Sequence, residues 1–246
     1  MPADDYFDDA IAERYDDDVS DAFDPAVVGP AVDVLVDLAA GGRALEFGVG
    51  TGRIALPLAG RGVPVHGIDL SPAMIRRLKE KPGADRISTT VGSFVTAQAP
   101  GEFSLIYLLF NTIMNITSQA GQVACFRNAA RHLVPGGRFV VEVMVPELRR
   151  LPPGERVRAF RLADDSIGFD EYDTATQTLV SHHMRFEGAE GRRRSIPFRY
   201  VWPSELDLMA LIAGMELEYR WGDFRRDPFT AESRSHVSVW RLPADS

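Results

Sequence analysis

Ten consecutive residues limit what this chain can fold into more than any other part of it. Ala44-Leu45-Glu46-Phe47 is a short apolar run that breaks into Gly48-Val49-Gly50-Thr51-Gly52-Arg53, and nineteen residues after Gly50 a second apolar run ends in Asp69. A strand, a glycine turn and a helix N-terminus in that order make a cradle. Backbone N–H groups and the positive end of the helix face a ligand there, and an acid at the end of the next strand reaches ribose hydroxyls. The spacing narrows the ligand. A dinucleotide fingerprint reads GxGxxG, and from Gly48 and Gly50 its third glycine would fall on position 53, which is Arg53. The third glycine is instead Gly52, giving GxGxG with Glu46 two residues ahead of it.

With those residues in place, the chain resembles the class I S-adenosylmethionine-dependent methyltransferases, whose first motif is an acid two residues ahead of GxGxG and whose second strand ends in an acid. The resemblance implies an α/β fold with a Rossmann-like seven-stranded, mainly parallel sheet and S-adenosylmethionine as cofactor, leaving S-adenosylhomocysteine as product. It also implies a glycine turn against the methionine part of the cofactor and an acid accepting from both ribose hydroxyls. Those roles fall on Glu46, Gly48, Gly50, Gly52 and Asp69, with Arg53 beside them. In the family, the residue after the ribose acid and one a turn into the next helix pack on adenine. Here they are Leu70 and Met74, which also read as core side chains. Relatives commonly have an acid after the glycine that ends strand three. This chain has Ser93, followed by Phe94, so a serine oxygen or a backbone carbonyl takes that place. Many small-molecule members have a Tyr-Asp pair near the N-terminus whose phenol approaches the cofactor carboxylate or the substrate, and Tyr15-Asp16 resembles it.

The 246 residues fit one α/β domain with an insertion. Net charge is −8, so a broadly basic face for neutralising phosphates is not indicated and nucleic acid is a poor partner. Cys125 is the sole cysteine, which rules out an internal disulfide and fits a reducing compartment. The first residues lack both positive charge and an apolar core, and no later apolar run nears the roughly 18 residues of a membrane helix. These features point to a soluble, cytoplasmic protein with no membrane partner and no metal, since no His and Cys spacing suits one. A homo-oligomer is compatible with all of them.

Along the chain, residues 4–24 carry nine aspartates among Tyr6, Phe7, Tyr15 and Phe23. This arm reads either as a solvated helix pair docked by its aromatics or as a flap over the cofactor. An amphipathic helix over 26–39 ends at Gly41-Gly42. Strands at 44–47, 63–68, 87–91, 103–110 and 138–145 alternate with helices, the pattern of a parallel sheet. Ser71-Pro72 suits an N-cap and first turn. After Pro146 the period changes to two, with strands at 157–162, 167–172, 178–186 and 195–202 and turns at 164–165 and 188–191. A helix from Pro203 and antiparallel edge strands at 216–221 and 236–242 complete the sheet. The division is then an N-terminal helical arm and first helix (1–40), a cofactor-binding core (41–150), an antiparallel β insertion acting as a substrate lid (151–202), and a closing helix with final strands (203–246). A β insertion between strand five and its following helix resembles the amino-sugar and glycine N-methyltransferase branches.

A sulfonium methyl is already electrophilic, so its transfer needs alignment more than activation. A hydroxyl acceptor benefits from a general base, whereas an amine need only arrive unprotonated. Phe110, Asn111 and Asn115 follow the fourth strand, where ligands meet parallel sheets. The two amides either approach the sulfonium and substrate or cap the loop. Asn111 lacks the Pro-Pro-aromatic that follows it in base and amide methylases. His132 reads as a helix C-terminal dipole partner rather than a base, and Glu142 faces either the cleft or the sheet rim. His182, His183 and Glu171 are base candidates, with His236 further off; adjacent strand residues point to opposite faces, so at most one of His182 and His183 meets the cleft. Arg192-Arg193-Arg194, expected in a turn, either bind an anionic substrate or are solvated. Tyr6, Tyr172 and Trp202 form an aromatic wall or simply pack.

The expected activity is methyl transfer to nitrogen, ahead of oxygen, of a small-molecule acceptor, with His183, Asn115 and Tyr6 nearest the chemistry. A nicotinamide-dependent oxidoreductase is the alternative enzyme, opposed by Arg53 and by the lack of a Tyr-x-x-x-Lys pair. A non-catalytic adenosylmethionine-binding protein is the alternative of another class.

Overall fold

The structure is a computed structural model that describes residues 9–18, 20–187 and 190–244. Tyr6 therefore lies outside the described residues. In chain order the elements are α1 (Asp9–Asp18), α2 (Pro25–Ala39), β1 (Ala44–Phe47), α3 (Ala55–Gly60), β2 (Val65–Asp69), α4 (Pro72–Lys79), β3 (Ile87–Val91), β4 (Phe103–Leu108), α5 (Gln119–His132) and β5 (Leu133–Met144). There follow β6 (Val157–Ala163), β7 (Ser166–Asp173), β8 (Thr178–Glu187), β9 (Glu190–Arg199), α6 (Pro203–Ile212), β10 (Glu216–Trp221) and β11 (Ser235–Arg241).

Local chemistry starts the helices where the sequence signals them. Asp24 accepts from Ala26 N at 2.8 Å with Pro25 in the first turn of α2, and Ser71 Oγ accepts from Met74 N at 3.2 Å with Pro72 opening α4. The first five strands are parallel, and the seven-stranded sheet has the order β3-β2-β1-β4-β5-β11-β10 with β11 antiparallel to β5. Both faces are covered, which is why β1 and β4 read as continuous apolar runs rather than alternations. Helices α2, α3 and α4 pack one face through Leu35, Leu58 and Leu78. The other face is filled by Phe126 of α5, Leu206 and Met209 of α6, and Trp240 of β11, with Phe126 edge-on to Phe139 and Trp240. The order reverses between β1 and β4, the switch point at which open sheets of this kind leave a crevice beyond their carboxyl ends.

Strands β6 to β9 form a separate antiparallel meander. Its foot is driven into the core by Tyr172, Leu179 and Tyr200, all buried. Beside them Arg199 donates to Gln122 Oε1 at 2.5 Å and to Glu205 Oε1 at 2.7 Å, and Gln177 donates to Glu205 Oε2 at 3.0 Å. Burial opposes the charge on Glu205, but these donors lower its pKa overall. The structure moves one expected boundary. Strand β9 begins earlier than its glycines suggested, because Glu190 pairs with Glu187 and Gly191 with Phe186. Arg192, Arg193 and Arg194 therefore lie within β9 rather than in a turn. Among the described residues, no helix is long and apolar enough to cross a membrane.

Candidate active site

A cleft of about 940 Å³ opens at the carboxyl ends of β1, β2 and β4, floored by the glycine turn and roofed by the β6–β9 sheet. Gly48, Gly50 and Gly52 all have positive φ, at 75°, 52° and 86°. At Gly52 a Cβ would lie 2.2 Å from Leu78 Cδ1, and at Gly48 one would lie 2.9 Å from Thr112 Cγ2. Those two positions need glycine for space as well as for conformation. Gly50 has nothing within 4 Å, so the middle of the turn is bare backbone facing the cleft.

Three carboxylates hold this floor in shape. Asp69 Oδ2 accepts from Gly50 N at 2.7 Å and Oδ1 from Ser71 N at 2.8 Å, so the acid that ends β2 also fixes the turn that follows β1. Burial raises its pKa against those bonds. Glu46 accepts from Tyr107 Oη at 3.0 Å, and burial pushes its carboxyl up to about 8. Glu142, on β5, accepts from Phe110 N at 2.7 Å, and burial raises its pKa too. It faces the cleft floor rather than the sheet rim. Its backbone carbonyl accepts from Asn111 N at 3.3 Å, and Asn111 Oδ1 accepts from Met144 N at 2.7 Å. These three bonds hold Phe110 and Asn111 in consecutive left-handed conformations, with φ of 55° and 62°. Asn111 lines the cleft, but its amide oxygen is committed to the backbone.

Arg53 spreads its guanidinium over the Phe110 ring, 3.4 Å from the centroid. Burial lowers its pKa, countered by Tyr15, Glu46 and Glu142. Tyr15 reaches the same wall from α1, packed against Ala12 and Met74, and burial raises its phenol pKa. Asp16 turns away to accept from Thr51 Oγ1 at 2.6 Å and to pair with Lys81, which ties α1 to the glycine turn. Leu70 is 39% exposed and lines the cleft, unlike a core leucine, while Met74 is buried beneath it. Ser93 and Phe94 also line the cleft. Phe94 stacks on Phe47 with centroids 5.7 Å apart, and its carbonyl accepts from Asn128 Nδ2 at 2.8 Å. Asn115 lines the cleft at the end of the loop after β4.

The roof is contributed by β6, β7, β8 and β9. His183 lines the cleft, and burial, then Arg194, lowers its pKa, so the imidazole is neutral near pH 7. His182 faces the other way, stacked on Phe169 at 4.7 Å and bonded to Ser195 Oγ at 2.8 Å. Several expected groups are placed elsewhere. Glu171 pairs with Arg156 and His182 on that outer face. His236 is buried in β11, where it shares a 2.8 Å bond with Ser238 Oγ. His132 is buried between Asn128 O and Ala99 N, a structural position. Tyr172 packs with Tyr200 in the core, and neither it nor Trp202 lines the cleft, so these residues form no aromatic wall. Sequence reasoning missed Arg161 and Arg185, which line the roof. The signal that could have found Arg185 is its spacing of two from His183, which puts both on one strand face.

A family model described as a methyltransferase domain matches residues 44–137. The CcbJ methyltransferase of Streptomyces caelestis is 38% identical, with 87% of this chain and 89% of that one covered and a TM-score of 0.79. A cypemycin N-terminal methyltransferase from a Streptomyces species is 28% identical over 206 residues, 81% of this chain and 82% of that protein. At the level of fold alone, the amino pentose methyltransferase CalS10 of Micromonospora echinaspora superposes with a TM-score of 0.66 at 21% identity, covering 87% of this chain and 89% of that one.

Proposed function

Because the chain belongs to the class I S-adenosylmethionine-dependent methyltransferases, we propose that it places the cofactor's methyl group on a nitrogen of a small-molecule acceptor. The cradle fits the cofactor. Gly50 leaves bare backbone where a side chain would intrude, Asp69 stands at the end of β2 with lone pairs beyond its two backbone bonds, and the cleft volume suits a cofactor with a small second ligand. Bound there, S-adenosylmethionine supplies an electrophilic sulfonium methyl open to in-line displacement.

In this reading Asp69 accepts from the ribose hydroxyls. Glu46 and the glycine turn hold the methionine ammonium, and Arg53 with Tyr15 holds its carboxylate. Leu70, Met74 and Phe94 flank the adenine, with Ser93 accepting from its amine. Phe110 and Asn111, locked by Glu142, shape the wall beside the reacting atoms. The amide of Asn115 orients the acceptor amine, and neutral His183 takes up the proton released from nitrogen. The 151–202 segment acts as the lid over the acceptor.

One observation carries nitrogen over oxygen. The carboxylates of the floor, Glu46, Asp69 and Glu142, are engaged by donors of the protein, and His183 has its pKa lowered by burial, which makes it a weak base for a hydroxyl proton, whereas an unprotonated amine attacks with its own lone pair. The relatives point the same way, since the cypemycin enzyme acts at an N-terminus by its name. The test uses matched acceptor pairs that differ only in an amine or a hydroxyl, incubated with enzyme and S-adenosylmethionine and read by mass spectrometry. Methylated amines with unchanged hydroxyl twins are expected. Methylation of hydroxyls alone overturns the assignment of nitrogen.

A further inference from the structure

On the inner face of the lid, neighbours from three strands meet the imidazole of His183. Ser181 is two residues back on β8 and so shares its face; it is buried, and its Oγ lies 3.2 Å from His183 Nε2. Asp170 on β7 stands directly opposite Ser181. Burial raises the Asp170 pKa, and a hydrogen bond from Ser181, followed by the charges of Arg158 and His182, opposes that rise. Arg158 is in register with Asp170 on β6, an opposite charge that favours the ionised carboxylate.

A hydroxyl has one proton to donate, and an ionised carboxylate only accepts. The Ser181 proton therefore goes to Asp170, which leaves the Ser181 oxygen to accept from His183 Nε2–H. A neutral imidazole carries a single N–H, so Nδ1 is the nitrogen that keeps its lone pair. The row from Nε2–H through Ser181 to Asp170 thus decides which nitrogen is basic. A second contact comes from β6. Its register slips between Ala159 and Arg161, which makes Phe160 the extra residue of a β-bulge, a device that re-aims side chains. Gly168 of β7, in register with His183, leaves room for the re-aimed ring: a Cβ there would lie 2.3 Å from Phe160 Cε2. The phenyl ring fills that place and meets the His183 imidazole with centroids 5.3 Å apart and planes tilted by 59°.

We propose that Ser181, backed by Asp170, and Phe160 are positioning residues that hold His183 in one ring orientation, with Nε2 protonated and Nδ1 as its basic nitrogen. The inference rests on the reading of His183 as the group that takes the proton from the acceptor nitrogen. That nitrogen bonds to the methyl carbon as the carbon–sulfur bond breaks, and the electron pair of the broken bond stays on sulfur. The N–H proton then passes to Nδ1. Arg194, His182 and Arg161 oppose the imidazolium charge so formed, and Asp170 favours it through the Ser181 hydroxyl.

The test is the nitrogen chemical shifts of the histidine rings in the full, isotope-labelled chain with S-adenosylhomocysteine added, at neutral pH. His183 is picked out of the five histidines by its loss in His183→Gln. In the parent, a protonated Nε2 and an unprotonated Nδ1 are expected. Ser181→Ala is expected to lose that single tautomer, with both shifts moving toward the average of the two forms, and Ser181→Thr, which keeps the hydroxyl, to retain it. Phe160→Ala is expected to raise the His183 pKa toward the ordinary value of about 6.5, because the ring gains water. A protonated Nδ1 in the parent, or the parental tautomer in Ser181→Ala, overturns the proposal. An unchanged His183 titration in Phe160→Ala overturns the part given to Phe160. Undiminished methyl transfer to amines by His183→Gln, with the tautomer as expected, would overturn the base reading beneath the proposal, a result distinguishable from a wrong tautomer.

Discussion

On the floor of the cleft, Glu46, Asp69 and Glu142 each give an oxygen to a donor of the protein itself. On the roof, the exposed Arg185 and Arg192 oppose each other across β8 and β9. The first wall is buried acid groups held by hydrogen bonds, and the second is exposed basic side chains on a strand pair. A buried carboxylate is tolerable only when hydrogen-bonded, so the floor has one permitted shape and suits a ligand common to the whole family. Solvated arginines can be replaced at little structural cost, so the roof is free to differ with the acceptor.

The contrast breaks most sharply at Gly52. Gly52→Val sets a side chain at φ 86° with its Cβ against Leu78, and the combined strain and overpacking should cost about 3 to 5 kcal/mol. Thermal unfolding should show it, together with loss of S-adenosylhomocysteine binding; a near-parental melting temperature would mean the turn tolerates what its geometry forbids.

Asp69→Ala should come next. It removes the ribose acceptor and frees two backbone donors, and cofactor affinity should fall about ten- to a hundredfold, with some loss of stability. Calorimetry showing equal affinity would remove Asp69 from the site. Glu142→Leu should then cost about 2 kcal/mol by leaving Phe110 N without its acceptor, or roughly 4–8 °C in melting temperature. Arg192→Gln, by contrast, should leave melting within about 0.5 kcal/mol of the parent, as for an ordinary surface change. Equal losses at Glu142 and Arg192 would abolish the distinction between the walls.

The contrast also predicts a slope with pH. Burial raises the folded-state pKa of Glu46 from 4.5 to about 8. Below about pH 4.5 both states hold the proton, and between there and about 8 the unfolded chain releases it first, so Glu46 contributes a loss of stability as pH rises through that window. Denaturant titrations across it should show a flatter profile for Glu46→Gln. A cofactor ammonium favours the charged carboxylate, so S-adenosylhomocysteine should bind more tightly from pH 6 to 8 in the parent and not in the variant.

How far the sequence could be read follows from the range of the forces involved. Strand, turn, N-cap and ribose acid are local patterns, and GxGxG, Ser71-Pro72 and Asp69 were legible one by one. The start of β9 was misread because glycine signals a turn without fixing where the next strand begins; only the pairing of Glu190 with Glu187 and of Gly191 with Phe186 decides that. The choice between His182 and His183 was narrowed to one by strand alternation, but which one met the cleft depended on where the sheet docks. Glu142 could not be assigned a face until β4 and the left-handed Phe110 and Asn111 were laid beside it.

The sequence by itself determined a nucleoside cradle of the S-adenosylmethionine type, a parallel sheet and an antiparallel addition to it, because backbone conformation and periodicity are written in neighbouring residues. Tertiary structure alone decided that Asp69 also holds the glycine turn, that Tyr172 is core rather than wall, and that arginines from β6, β8 and β9 gather over one cleft. Those outcomes depend on burial and on charges brought together from distant parts of the chain, and neither is encoded in any short stretch of it.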